Sequence, residues 1–96
     1  MLSGNDILEI LNDRREFLFS KYSIQSMALF GSYARGENSM TSDVDIMVEF
    51  KKPIGIKFSD LADELEQTLN LKVDLVSKNG IKKKYFDFLK HDLKYV

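Results

Sequence analysis

The segment DVDIMVEF, residues 43–50, alternates between two kinds of side chain. Because successive side chains of a β-strand point to opposite faces, one face of this segment is apolar throughout and the other carries acids. The apolar face comprises Val44, Ile46, Val48 and Phe50, and the opposite face comprises Asp43, Asp45, Met47 and Glu49. The pattern predicts a strand with one face in a core and with Asp43 and Asp45 on the other face, about 7 Å apart at the backbone.

Hydrophobic patterns on both sides of this strand predict a small α/β (α+β) domain, in which a sheet is covered by helices. The predicted elements are a helix over 3–22, a strand over 24–30, a helical turn over 33–37, the strand 43–50, a helix over 58–69, a strand over 71–76, a turn over 77–80 and a helix over 81–95. A chain of 96 residues is expected to fold as one domain, residues 1–96.

The composition narrows the classes of function. With 14 basic and 15 acidic side chains the net charge is −1, which argues against direct nucleic-acid binding. The sequence has no cysteine, so that disulfides and thiolate chemistry are excluded. We find no signal peptide and no apolar run long enough to cross a bilayer, and we therefore expect a cytoplasmic protein without a membrane partner.

Two aspartates on one face of a strand repel each other, and the pKa of at least one rises unless a cation neutralises the pair. The sequence offers no cysteine and a single histidine, His91, which leaves oxygen ligands and favours Mg²⁺ or Mn²⁺. Asp74, in the predicted strand 71–76, could supply a third carboxylate to the same point. Three acids on neighbouring strands would make a two-metal site for phosphoryl transfer possible.

The residues that precede the acids are suited to a triphosphate. Gly31 lets the backbone approach a phosphate closely, Ser32 offers a hydroxyl and an amide, and Arg35 adds positive charge. Ser32 is expected to bind rather than attack, because no base is visible beside it and the G-x-S-x-G elbow is absent.

Each of these features also has a simpler interpretation. A single D-x-D or Gly-Ser pair occurs by chance in many chains. Asp74 could be an exposed acid on an edge strand, and Arg35 could form a surface ion pair with a neighbouring acid. His91 is typical of a solvent-facing helix residue. The lysines at 82–84 could form a solvated helix face or contact a phosphate or an acidic partner.

Taken together, the motifs resemble the nucleotidyltransferases of the DNA polymerase β superfamily, and most closely their minimal nucleotidyltransferase (MNT) domains. The matching features are Gly31-Ser32, ten intervening residues at 33–42, Asp43-Val44-Asp45, and Asp74 within KVDLV. The ARGE stretch at 34–37 and Ser42 are also similar to the family pattern. The resemblance extends over nearly all of the chain from Ile24 onward.

This resemblance implies a mixed sheet flanked by helices, two bound Mg²⁺ ions (with Mn²⁺ as an alternative), and transfer of AMP from ATP with release of pyrophosphate. The catalytic and metal-binding residues would be Asp43, Asp45 and Asp74, and the nucleotide-binding residues Gly31, Ser32, Arg35 and Ser42. Asp74 would also help to deprotonate the acceptor hydroxyl.

The resemblance further implies an antitoxin whose partner is a HEPN-domain toxin, with a tyrosine of the toxin as acceptor. Two alternatives remain open: an antitoxin that neutralises its partner by binding alone, and transfer to a small molecule such as an aminoglycoside. The second is less favoured, because 96 residues leave no room for a domain that holds a drug. Exposed apolar residues of the last helix, Phe86 or Tyr95, would contribute to an interface in a homo- or hetero-oligomer.

Overall fold

The computed structural model describes all 96 residues and contains five α-helices and four β-strands. In chain order these are α1 (Gly4–Asp13), α2 (Arg15–Lys21), β1 (Ile24–Phe30), α3 (Gly31–Arg35), β2 (Val44–Phe50), α4 (Lys57–Leu69), β3 (Val73–Ser77), α5 (Lys83–Leu89) and β4 (Lys94–Tyr95). Short 3₁₀ turns at Lys78–Gly80 and Lys90–Asp92 flank α5. None of the helices combines the length and the apolar character that crossing a bilayer would require.

The strands form one mixed sheet in the order β3-β2-β1-β4, which confirms the expected α+β architecture. β1 pairs antiparallel with both β2 and β4, whereas β2 and β3 run parallel. Parallel strands cannot be joined by a tight turn, and α4 provides the crossover between β2 and β3. The parallel register sets Asp45 directly beside Asp74.

One face of the sheet carries the main core. Val44, Ile46 and Val48 are fully buried there, as their alternation predicts. The helices pack onto the same cluster through Ile7, Leu11, Leu18, Leu61, Leu65 and Leu69. Burial of each such side chain contributes about 1.5–3 kcal/mol to folding, so this face fixes which way β2 points.

The N-terminal segment forms two helices, so the prediction of one helix over 3–22 is wrong. α1 begins with a capping box in which Ser3 Oγ accepts from the backbone N–H of Asp6 at 3.1 Å. The helix stops at Arg14, where φ is −101° and ψ is 2°. The break follows directly after Asn12 and Asp13, whose side chains compete for backbone hydrogen bonds and disfavour a helix interior.

The predicted helix over 81–95 is also wrong in its second half, because α5 ends at Leu89 and the chain returns to the sheet as β4. Tyr95 pairs with Ala28, and the backbone N–H of Val96 donates to the carbonyl of Met27 at 2.9 Å. The free edge of β1 would otherwise expose a row of unpaired N–H and C=O groups. This pairing outweighs the local helical spacing of the apolar residues.

The sheet face opposite the main core is also partly covered. Ala28, Phe30 and Met47 are buried on this face, although they lie outside the core cluster. Residues paired across strands share a face, and the register therefore puts Asp45, Asp74 and Tyr95 on this side too.

Residues 78–96, which we call the C-terminal segment, run along this second face. Lys78 Nζ lies 3.7 Å from the carboxylate of Glu49, which shares the face of Asp45. Arg35 Nη1, just after β1, donates to Asp92 Oδ2 at 2.8 Å. The C-terminal segment is thus attached to the face of the sheet that carries Asp45.

Glu64 of α4 joins three residues of the α1–α2 region. Its Oε1 accepts from the hydroxyl of Tyr22 at 2.5 Å and from Lys21 Nζ at 3.0 Å, and its Oε2 accepts from Arg14 Nη2 at 3.3 Å. The hydrogen bond from Tyr22, together with the charge of Lys21, holds the pKa of Glu64 below its ordinary value of 4.5. The side chain of Glu64 is only 16% exposed, so these partners compensate for lost hydration.

We expect Glu64→Gln to lower the free energy of unfolding by about 1–2 kcal/mol at pH 7, because hydrogen bonds to a charged acceptor become bonds to a neutral one. A depressed pKa stabilises the fold above the unfolded value and is lost as pH falls through the folded one. The difference from wild type should therefore shrink below pH 4.5. Urea titrations at pH 7 and pH 3.5 test this, with Asp63→Asn on the exposed side of α4 as control. An equal difference at both pH values would contradict the ionic contribution.

Candidate functional site

Three carboxylates come together where β2 and β3 begin. Asp45 and Asp74 are register partners on these neighbouring parallel strands, and Asp43 lies two residues before Asp45. Asp45 is half-buried, whereas Asp43 and Asp74 are exposed. The antiparallel register also puts Phe30 beside Asp45, so the turn that starts at Gly31 adjoins the acids.

Gly31 touches Asp45 so closely that no side chain fits between them. A Cβ built on Gly31 would overlap Asp45 Oδ2. Gly31 also has φ of +73°, in the left-handed region that favours glycine. Two independent constraints therefore require glycine here, and together they set the Asp45 carboxylate against the backbone at the end of β1.

The pKa of Asp45 is raised from its ordinary value of 3.8 to about 6. Burial is the main cause, and the negative charges of Asp74 and Asp43 raise it further, while Arg35 opposes them. The ionised form of Asp45 is thus disfavoured by its surroundings. A cation bound beside it would relieve this electrostatic cost.

Arg35 stands at the end of α3, near enough to Asp45 to lower its pKa. Its Nε donates to Glu37 Oε1 at 3.0 Å and its Nη1 donates to Asp92 Oδ2 at 2.8 Å. The simpler interpretation, a surface ion pair with Glu37, is therefore correct in part. Sequence patterns did not indicate Asp92, because it lies 57 residues away and within a segment predicted to be helix.

The two serines of the predicted site differ in their surroundings. Ser42 Oγ accepts from the backbone N–H of Ser39 at 2.9 Å and lies 3.4 Å from the hydroxyl of Ser39. The side chain of Ser42 therefore closes the loop of residues 39–42, which directly precedes Asp43. Ser32 is the second residue of α3 and is partly exposed, directly after the glycine that touches Asp45.

The donors at the site fit a hard cation that arrives with its substrate. No group of three or more acidic or histidine side chains is arranged as a ready-made metal site. Mg²⁺ in phosphoryl-transfer sites is commonly held by one or two carboxylates together with substrate phosphates, rather than by a closed protein cage. Asp43 and Asp45 supply such a pair, and the pKa of Asp45 is raised mainly by burial and further by the neighbouring acids, both of which a bound cation would offset.

Comparison with known sequences identifies similar proteins across the whole fold. A family model described as the nucleotidyltransferase domain matches residues 8–95. A Methanocaldococcus jannaschii protein, provisionally named a protein adenylyltransferase, is 53% identical over 82 residues, covering 84% of this chain and 95% of that protein. The protein adenylyltransferase MntA of Thermococcus cleftensis is 41% identical over 83 residues, covering 85% of this chain and 84% of the relative.

Solved structures with a similar fold include a minimal nucleotidyltransferase and a complex that contains an MNT antitoxin. A minimal nucleotidyltransferase structure superposes with a TM-score of 0.75 at 30% identity, over 91% of this chain and 93% of the other. A structure of a tri-AMPylated Shewanella oneidensis HEPN toxin in complex with an MNT antitoxin contains a chain that matches with a TM-score of 0.60 at 26% identity, over 96% of this chain and 66% of the other.

We expect Asp45→Asn to stabilise the metal-free protein at pH 8, by a few degrees in Tm. The folded pKa of Asp45 lies above the unfolded one, so its contribution to stability is fully present below pH 3.8 and is lost as pH rises through about 6. Because asparagine does not titrate, the difference in Tm between the variant and wild type should grow as pH rises from 3.8 to about 6. Thermal denaturation with a chelator from pH 4 to pH 8 measures it. Asp63→Asn serves as the exposed control, and a wild type that is the more stable protein at pH 8 would refute the expectation.

Proposed function

Because the chain belongs to the nucleotidyltransferase domain family, we propose that it transfers AMP from ATP to a tyrosine hydroxyl of a HEPN-domain toxin and thereby acts as its antitoxin. The observation that carries the proposal is the register that sets Asp45 beside Asp74 while the Asp45 carboxylate lies against Gly31. Adenylyltransferase relatives and the HEPN–MNT complex support this choice of substrate and partner.

In the proposed reaction the tyrosine oxygen attacks the α-phosphorus of ATP. The bond between that phosphorus and the oxygen bridging to the β-phosphate breaks, and pyrophosphate leaves. The tyrosine proton passes to a carboxylate, for which Asp74 is our candidate. Asp74 is exposed on the outer strand of the sheet, where an acceptor from another protein can reach it.

Asp43 and Asp45 would hold Mg²⁺, with Asp74 completing the ligand set for a second ion. When bound, such ions neutralise phosphate charge and stabilise the attacking and leaving oxygens. Asp45 binds a cation best when ionised, and its pKa of about 6 leaves it largely ionised at pH 7.5.

Gly31, Ser32 and Arg35 would receive the triphosphate. Gly31 carries no side chain that could keep phosphate oxygens away from the backbone next to Asp45. Ser32 contributes a hydroxyl beside that opening. Arg35 adds a positive charge whose direction is fixed by its hydrogen bonds to Glu37 and Asp92.

We expect the double substitution Asp43→Asn with Asp45→Asn to reduce AMP transfer by at least about a hundredfold, since loss of one charge-stabilising group at a reaction centre already costs that much. The assay follows α-labelled ATP onto a purified HEPN toxin in the presence of Mg²⁺. Asp60→Asn with Asp63→Asn, on exposed positions of α4, removes the same charge elsewhere and should leave transfer intact.

Comparison of wild type with the Asp43→Asn, Asp45→Asn variant also distinguishes this proposal from an antitoxin that acts by binding alone. The exposure of Phe88, 79%, and of Tyr85, 56%, gives that alternative a structural basis. In cells that express the toxin, a catalytic antitoxin requires the two aspartates for rescue of growth. Full rescue by the Asp43→Asn, Asp45→Asn protein at equal expression would favour binding alone.

We expect Gly31→Ala to lower the transfer rate by about a hundredfold, because the new methyl group displaces the Asp45 carboxylate and small misplacements at a reaction centre cost about that much. Gly36→Ala is a matched control. Gly36 has nearly the same φ, +72°, but a Cβ there would meet no atom within 4 Å. Both variants carry similar backbone strain, so equal loss of rate in the two would contradict the specific role of the Gly31–Asp45 contact.

A further inference from the structure

The C-terminal segment differs in charge from the rest of the chain. Residues 78–96 contain six lysines and two aspartates, a net charge of +4, whereas residues 1–77 carry eight basic and thirteen acidic side chains, a net charge of −5. The positive charge is concentrated at Lys82, Lys83 and Lys84, all of them exposed. None of these three lysines forms an ion pair within the chain. They remain available to an acidic surface.

A groove of about 460 Å³ lies between the outer strand of the sheet and the start of the C-terminal segment. Its apolar lining comes from Leu75, Val76, Ile81 and Tyr85. The groove lies next to Asp74, because two of the residues that line it, Leu75 and Val76, directly follow Asp74 on β3. Val76, two residues further on, shares the sheet face of Asp74.

Two aromatic side chains of α5 are exposed: Tyr85, which lines the groove, and Phe88, three residues further along the helix. Tyr85 is 56% exposed and Phe88 is 79% exposed. Aromatic residues beside an apolar groove are typical of the centre of protein interfaces. The aliphatic lining of the groove and the acids beside it favour a protein over a nucleic acid as its occupant.

We propose that this groove, with Tyr85, Phe88 and the lysines at 82–84, is the docking surface for the acceptor toxin. The toxin inserts an apolar side chain into the groove and sets acidic residues against the lysines. Docking here brings an acceptor hydroxyl to the end of β3 that carries Asp74. The inference rests on the proposed function, since it assigns the surface by which that same site receives its partner.

The test compares two surface variants with two matched controls in AMP transfer to a purified HEPN toxin. The variants are Tyr85→Ser with Phe88→Ser, and the triple change Lys82→Glu, Lys83→Glu, Lys84→Glu. The controls are Ile56→Ser, at a residue 89% exposed at the far end of β2, and Lys51→Glu with Lys52→Glu in the same loop. Each variant should raise KM for the toxin about tenfold, with kcat at saturating toxin and the dissociation constant for ATP within about twofold of wild type. The two controls should leave KM for the toxin, kcat and the dissociation constant for ATP unchanged.

Unchanged KM in both surface variants, with transfer by wild type intact, would overturn the docking surface and leave the proposed function standing. If wild type binds ATP and the toxin but transfers no AMP, the proposed function fails instead. The surface is then judged by calorimetric affinity for the toxin, which both variants must weaken. Reduced binding of a 20-nucleotide single-stranded RNA by the lysine variant, with toxin affinity unaltered, would identify a nucleic-acid surface and refute the inference.

Discussion

The burial of one face of β2 determines the geometry of the site. Val44, Ile46 and Val48 are fully buried against helices, and a slip of the strand by one residue would exchange this face for the acidic one. Loss of three such buried side chains would cost about 5–9 kcal/mol at 1.5–3 kcal/mol each, comparable with the whole stability of a small domain. The core therefore fixes the register, and the register sets Asp45 beside Asp74. The site has little freedom to rearrange without loss of the fold.

On the opposite face of the same sheet, burial and neighbouring negative charges disfavour ionisation of a carboxylate. Asp45 is half-buried beside two further acids, and its pKa is raised because ionisation there is unfavourable. A chain under selection for stability alone would be expected to replace one of these acids, since like charges crowded around a half-buried carboxylate destabilise a fold. Departures of this kind from the rules of stable packing occur mainly at functional positions. The strain at Asp45 and the left-handed backbone of Gly31 coincide at one contact, which is the strongest physical reason to regard that contact as functional.

Local patterns were sufficient for some parts of this structure and insufficient for others. The alternation over 43–50 and the spacing from Gly31 to Asp45 predicted β2 and the neighbourhood of the acids, because a strand's period of two is enforced by burial. The break after Asp13 depends on weak differences in helix propensity, which a hydrophobic stripe does not reveal. β4 and the Arg35–Asp92 hydrogen bond depend on contacts between distant parts of the chain, and no local signal marks them. The roles of Ser32 and Ser42 in binding stay predictions, and Ser42 has a structural partner of its own.

The attachment of the C-terminal segment links the two parts of the proposed activity. Lys78 is paired with Glu49 toward the far end of β2, and Asp92 accepts from Arg35, which lies near Asp45, so this segment is attached to the rest of the chain at two separate points. β4 adds a backbone connection to β1. A partner that docks on the segment would therefore be held close to Asp74 and Asp45. Orientation of the acceptor lowers the barrier only if the docking surface keeps a fixed position relative to the reaction centre, and of these contacts the Arg35–Asp92 hydrogen bond and the pairing of β4 with β1 are the ones that hold the segment beside Asp45.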